Sequence, residues 1–239
     1  MPFAPVLRSE WLKIRTLRSL VGGLAAVLLT TAAFAALAGV DTDGPDFDPL
    51  YSTYFGVNFG QIAAIAFGTT TMSAEFRGGA LRLSLAAVPD RTRWFVAKAA
   101  AVAAPALTVG LLTGLVSLAV GRAVLGSADG PAWGEGVRAA VGCALYLTLM
   151  ALLATGLTAV LRSGVATLSI LVPFLLIVSF VVGDLSGGVA DLLPDRAGQI
   201  ALHHTWDGTL GPWTGLAVTA LWTSAALTAG AWSVRRRDA

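Results

Sequence analysis

The sequence predicts an all-α integral membrane protein: six transmembrane helices, an N-terminal interfacial amphipathic helix, and short outer-face helices before the last span. Three observations predict it. The 239 residues are 56% hydrophobic and only 13% charged, with a mean hydropathy of +0.75, where soluble domains carry roughly 25% charged residues. Six apolar runs at about 20–40, 52–74, 99–121, 139–161, 164–183 and 213–234 contain no Asp, Glu, Lys, Arg or His, and each has the roughly 20 residues needed to cross a hydrocarbon core. If their connections alternate sides, thirteen of the sixteen basic residues fall on one side with four acids, and three fall on the other with ten acids. Basic loops stay in the cytoplasm, so the chain is expected in the cell membrane as a multi-pass protein with both termini cytoplasmic.

Residues 1–19 form the first expected element. Phe3, Val6, Leu7, Trp11, Ile14 and Leu17 share one helical face, and Arg8, Arg15 and Arg18 lie toward the other, as in a basic helix lying in the membrane interface. Glu10 projects within the apolar stripe. It either pairs with Lys13 one turn away or meets a basic group elsewhere in the cytoplasmic layer. The first apolar run exceeds the ~7–15 residues of a signal-peptide core, so it is expected to remain as a span of the membrane domain, residues 20–239.

The second span carries Asn58 and Gln61 one turn apart, with Thr69, Thr70 and Thr71 further along. They either line a substrate path or hydrogen-bond neighbouring helices. Gly56/Gly60 and Gly110/Gly114 are G-x-x-x-G pairs suited to close helix packing, within the chain or across a dimer. Pro105 and Pro173 should kink the third and fifth spans.

Between the second and third spans, residues 75–98 read EFRGGALRLSLAAVPDRTRWFVAK. Gly78 and Gly79 break the preceding helix. Leu81, Leu83, Leu85 and Val88 give a short segment something to bury. Pro89 stops it, and Asp90 caps a helix starting near Arg91. Glu75 is expected to pair with an Arg of this loop or of the N-terminal helix.

Outside, 41–51 is short and acidic, and 122–138 is short and turn-like. The long 184–212 segment is expected to hold one or two short amphipathic helices separated near Pro194. His203, His204, Asp195 and Asp207 raise a metal or hydrolase site there, but their spacing matches no usual zinc motif. Trp94, Trp133, Trp206, Trp213 and Trp232 sit near span ends, where amphipathic rings favour headgroups. Cys143, the single cysteine, lies in an apolar run and reads as a small buried hydrophobe.

The spans lack the ionisable residues of an ion-coupled carrier, and neither lysine follows a glycine as a phosphate-loop lysine does. Driven transport would need a motor on another polypeptide.

Two stretches carry a family resemblance. SEWLKIRTLRS at 9–19 and Glu75-Phe76-Arg77-Gly78-Gly79 followed by Leu85, Pro89, Arg91 and Lys98 resemble the N-terminal helix and first cytoplasmic loop of bacterial ABC transporter permeases of the type-2 exporter family. LLPDRAG at 192–198 is similar to that family's Pro-containing outer segment. Ala80 departs from the usual Thr, which puts a hydroxyl contact there in question. The resemblance implies a non-enzymatic permease subunit that forms half of the pathway and pairs with a second copy or homologue. Two copies of a separate ATP-binding subunit would drive it, with no cofactor of its own and no nucleic acid. Glu10, Glu75, Arg77, Gly79, Leu81, Leu85, Pro89, Arg91 and Lys98 would then couple to the ATPase. Leu81 and Leu85 would fill its groove, and Arg91 and Lys98 would anchor the return. Two other readings stay open: a membrane enzyme using the 184–212 segment, and a non-transporting sensor or assembly partner.

Overall fold

A computed structural model describes residues 3–37, 47–178, 181, 191–205 and 210–236. Among them all regular structure is helical: α1 Phe3–Thr16, α2 Arg18–Ala35, α3 Pro49–Tyr54, α4 Val57–Ser73, α5 Ala80–Ala87, α6 Arg91–Asp129, α7 Trp133–Leu161, α8 Gly164–Pro173, α9 Pro194–Gln199 and α10 Pro212–Arg236. Three of the described helices are long and apolar enough to cross a membrane, namely Arg18–Ala35, Arg91–Gly126 and Trp133–Leu161.

The other expected spans differ for local reasons. The 52–74 run is divided into α3 and α4 at Phe55–Gly56, and α3 begins before the run, where Asp48 caps it. Its carboxylate accepts from the amides of Leu50 at 2.9 Å and Tyr51 at 3.0 Å, with Pro49 in the first turn. The 164–183 run is α-helical only to Pro173 and continues as a π-helix over Phe174–Val178. Proline, with no amide to donate, marks that change of pitch. In α10 five Thr and Ser residues between Thr214 and Thr228 dilute the apolar character. The expected turn at 122–138 is largely helical: α6 runs to Asp129 and α7 starts at Trp133. Pro105 leaves α6 helical, and the residue that departs is Gly126, at φ 78°. Residues 38–46, most of 179–190, and 206–209 with Trp206 and Asp207 lie outside the described residues.

Helix α7 is the centre, packed by α4, α6 and α10. The glycine pairs act inside the chain. A Cβ on Gly114 would sit 2.7 Å from the Cα of Ala140 in α7, and one on Gly60 would sit 2.5 Å from the Thr31 hydroxyl of α2. Buried Tyr54 donates to the carbonyls of Gly136 at 2.9 Å and Gly114 at 3.1 Å, tying α3 to α6 and α7. Cys143 is fully buried in this core.

A second, smaller core lies at the end of the bundle that carries α1 and α5. Met72, Leu81, Trp94, Phe95, Ala159 and Val234 meet there. Trp94 belongs to this core at 1% exposure and does not take the interfacial position expected for it. Trp133, Trp213 and Trp232 are exposed.

Candidate functional site

Four charged side chains meet beside the smaller core. The Lys98 ammonium, one turn and more into α6, lies 2.7 Å from Glu10 Oε2 and 2.6 Å from Glu75 Oε1. Lys13 lies 2.8 Å from Glu10 Oε1 and 2.9 Å from Glu75 Oε1. Ser84 of α5 donates to Glu75 Oε2 at 3.0 Å. Glu10, Glu75 and Lys98 are buried, while the Lys13 side chain remains 40% exposed. Two carboxylates thus balance two ammonium groups in a knot joining α1, the 3₁₀ turn Ala74–Phe76 after α4, α5 and α6. Removing any one buried member would leave an uncompensated charge.

The electrostatics follow. Burial would push the Glu75 carboxyl up; the Lys98 and Lys13 ammonium groups outweigh it and hold Glu75 below the ordinary carboxylate range. Burial would lower Lys13, but Glu10 and Glu75 raise it above its usual value. Glu10 meets both its neighbour Lys13 and a basic group distant in sequence, Lys98. Glu75 pairs with lysines, where an arginine was expected. An ammonium carries three donors on one atom, which lets each lysine bridge both carboxylates.

The other predicted residues separate into two groups. Gly79 has a left-handed backbone at φ 75°, beside Gly78 at φ 59°, which turns the chain into α5. Arg91 donates to the carbonyls of Val234 at 2.9 Å and Arg235 at 3.4 Å, closing the C-terminal end of α10 onto the start of α6. Asp90 caps α6 through the amides of Thr92 and Arg93. Leu81, expected to fill a partner's groove, is 5% exposed and sits in the smaller core, and Leu85 packs partly against it. The apolar side chain that α5 presents is Leu83, 75% exposed, with Arg77, Arg82 and Pro89 also exposed. Sequence reasoning names Lys13 only as a neighbour of Glu10 and Leu83 only as a residue to bury, and it passes over Ser84. One signal for the first was available: the chain's only two lysines, Lys13 and Lys98, both converge here.

In α1 the inward line is Val6, Glu10 and Ile14, while Trp11 and Leu12, with Leu17 just after the helix, are exposed. The apolar stripe is therefore split between the bundle and the surroundings.

At the opposite end of the bundle lies a cavity of about 470 Å³, bordered by Tyr51, Asn58, Gln61, Asp195 and His203 with an apolar wall at Leu175 and Leu176. Asn58 donates to Tyr51 Oη at 3.3 Å, Gln61 donates to the Asn58 carbonyl at 3.2 Å, and Gln199 donates to Tyr146 Oη at 3.3 Å. Tyr146 Oη in turn donates to Gln61 Oε1. Asn58 and Gln61 thus hydrogen-bond their neighbours and also border a void. The adjacent histidines diverge. His203 stacks on Tyr51 with centroids 4.2 Å apart and lies 3.4 Å from Asp48, whereas His204 Nδ1 is 2.8 Å from Glu135. Among the described residues no three His, Cys, Asp or Glu side chains group as metal ligands. Burial pushes the Asp48 carboxyl up, but His203 and the amides of Tyr51 and His204 hold it below its usual range.

No protein-family model matches this chain and no curated protein matches it, which leaves the ion knot and the opposite cavity to carry the functional reading.

Proposed function

We propose that this chain is the permease subunit of an ATP-driven exporter of the ABC type-2 class, forming half of a translocation pathway and worked by a separate ATP-binding subunit. The observation that carries the reading is the buried knot of Glu10, Lys13, Glu75 and Lys98. It fixes the N-terminal helix, the loop helix α5 and the start of α6 as one body, while Leu83 and Arg82 stand out from that body into the surroundings. A foot of this kind can receive a push from another protein and pass it to the long helix α6 without deforming first.

The six-span arrangement with cytoplasmic termini belongs to the same proposal. Its spans are α2, the α3–α4 pair, α6, α7, the segment beginning with α8, and α10. The uneven distribution of basic residues in the sequence supports it. The ATPase would dock on the basic end, and a second permease copy or homologue would complete the pathway in the cell membrane.

The test is Leu83→Asp and Glu75→Gln in the reconstituted permease–ATPase complex. Leu83→Asp removes the presented apolar contact without touching the smaller core, and Glu75→Gln loosens the knot. Coupling predicts normal amounts of folded permease for Leu83→Asp and reduced stability for Glu75→Gln, with export and substrate-stimulated ATP hydrolysis lost per folded complex in both. Full stimulated hydrolysis and export in both variants would overturn the proposal.

A further inference from the structure

The cavity at the acidic end is not reached by the ion knot, and no coupling role accounts for its shape. Its floor is polar and closed, with Gln61 at 3% and Asp195 at 5% exposure. The floor amides and the Tyr146 hydroxyl already satisfy one another through the chain Gln199–Tyr146–Gln61–Asn58. The α8 side is apolar: Leu175 is buried, and Leu176 keeps 49% of its surface exposed at the edge of the void. A space of about 470 Å³ falls in the range of roughly 300–1,000 Å³ that holds small-molecule ligands. Among the described residues the charges on the lining are Asp191, Asp195 and Arg196, two carboxylates and one guanidinium. His203, also on the rim, turns Nδ1 toward Asp48. A carboxylate buried as deeply as Asp195, beside membrane-type helices, is costly and is typically kept for a cation.

We infer that this cavity binds an organic cation with an apolar body: a protonated amine seated at the Asp195 carboxylate, its body lying against Leu175 and Leu176. Identifying that molecule as the exported cargo rests on the permease reading above. The binding itself is a property of this chain alone.

The experiment uses the purified full chain, without any partner, in nanodiscs of zwitterionic phosphatidylcholine. Three fluorescent probes share one aromatic body: dansylcadaverine, which carries a primary ammonium; dansylglycine, which carries a carboxylate; and neutral dansylamide. The amine is expected to bind saturably, with the other two weaker by about tenfold or more, the scale of one removed charge partner. Asp195→Asn should weaken amine binding by about tenfold or more, as expected when a close charge pair is broken. Leu176→Trp fills the cavity without altering any charge and should abolish binding of the amine. Because Asp195→Asn disturbs a buried position, the half-buried Asp191→Asn provides a second charge test and should weaken the amine selectively over dansylamide. Absence of saturable amine binding to the unaltered chain, equal affinity for all three probes, or amine binding unchanged by Leu176→Trp would overturn the inference. Amine binding in a chain that no ATPase stimulates would leave the site standing and remove the permease reading. Coupled ATP hydrolysis without amine binding would remove only the site.

Discussion

Lys98 is the buried cation of the ion knot. It is 2% exposed and bonded to two carboxylates. Lys98→Met would leave Glu10 and Glu75 with only the half-exposed Lys13 between them. Loss of one partner from a buried ion pair costs about 3–5 kcal/mol, so Lys98→Met should lower stability by that amount in a denaturant titration. Lys13→Met, at a position solvent already screens, should cost about 1 kcal/mol or less. The pair also sets a pH window. Glu75 is lowered, so its contribution is full above its unfolded value of 4.5 and is lost as pH falls through the folded one. Lys13 is raised, so its contribution is full below 10.5 and is lost as pH climbs through its folded value. The protection of α1 amides, their exchange rate corrected for the intrinsic pH dependence, should therefore be constant between those limits and fall beyond both; unchanged protection on the acid side would show that Glu75 does not hold α1. That Glu10 lies in the apolar stripe was legible from helical periodicity alone. Its tie to Lys98 was not, because 88 residues separate them and no local pattern reports which distant cation arrives.

Helix α5 has eight residues and four candidate apolar contacts around it, which is why its inward side could not be chosen from sequence. The structure chooses Leu81 and leaves Leu83 outside. Leu81→Asp should be severely destabilising, by several kcal/mol for an unpaired buried charge. Leu83→Asp should change stability by no more than about 0.5 kcal/mol, as surface substitutions do. Equal effects would mean that α5 is not docked as described. The glycines of this region divide in the same way. Gly79 has open space around it but a left-handed backbone, so Gly79→Ala should cost about 1–2 kcal/mol through conformation alone. Gly114 has ordinary helical angles but touches the Ala140 backbone, so Gly114→Val must part α6 from α7 and should cost about 1–3 kcal/mol of overpacking. The G-x-x-x-G spacing signalled that contact, and only the fold could say that its partner was α7 and not a second chain. The breaks at Phe55–Gly56 and Gly126 left weaker traces, because both lie in runs whose hydropathy continues across them.

Across the whole chain, charge placement was the most informative sequence feature. Ionisable groups avoid apolar helices whatever their packing, and the sparse long-range ties come afterwards. The topology it implies is open to a direct check. Single cysteines replacing Gly44 and Gly187 should react with an impermeant maleimide added outside intact cells, and cysteines replacing Gly79 and Asp238 should not. The native Cys143, at 0% exposure, keeps the background silent. Labelling at position 79 from outside would sink the six-span arrangement. The longest of the described apolar helices is α6, helical over the 36 residues from Arg91 to Gly126, or about 54 Å at 1.5 Å per residue. Its ion knot is not at the tip but at Lys98, with a short arm toward Arg91 and a long one toward Gly126. The two arms are in a ratio of about one to four, since residue count sets length in a straight helix. Any rotation imposed about that fulcrum is therefore magnified: a tilt of about 5° that moves the Arg91 end by about 1 Å sweeps the Gly126 end through almost 4 Å.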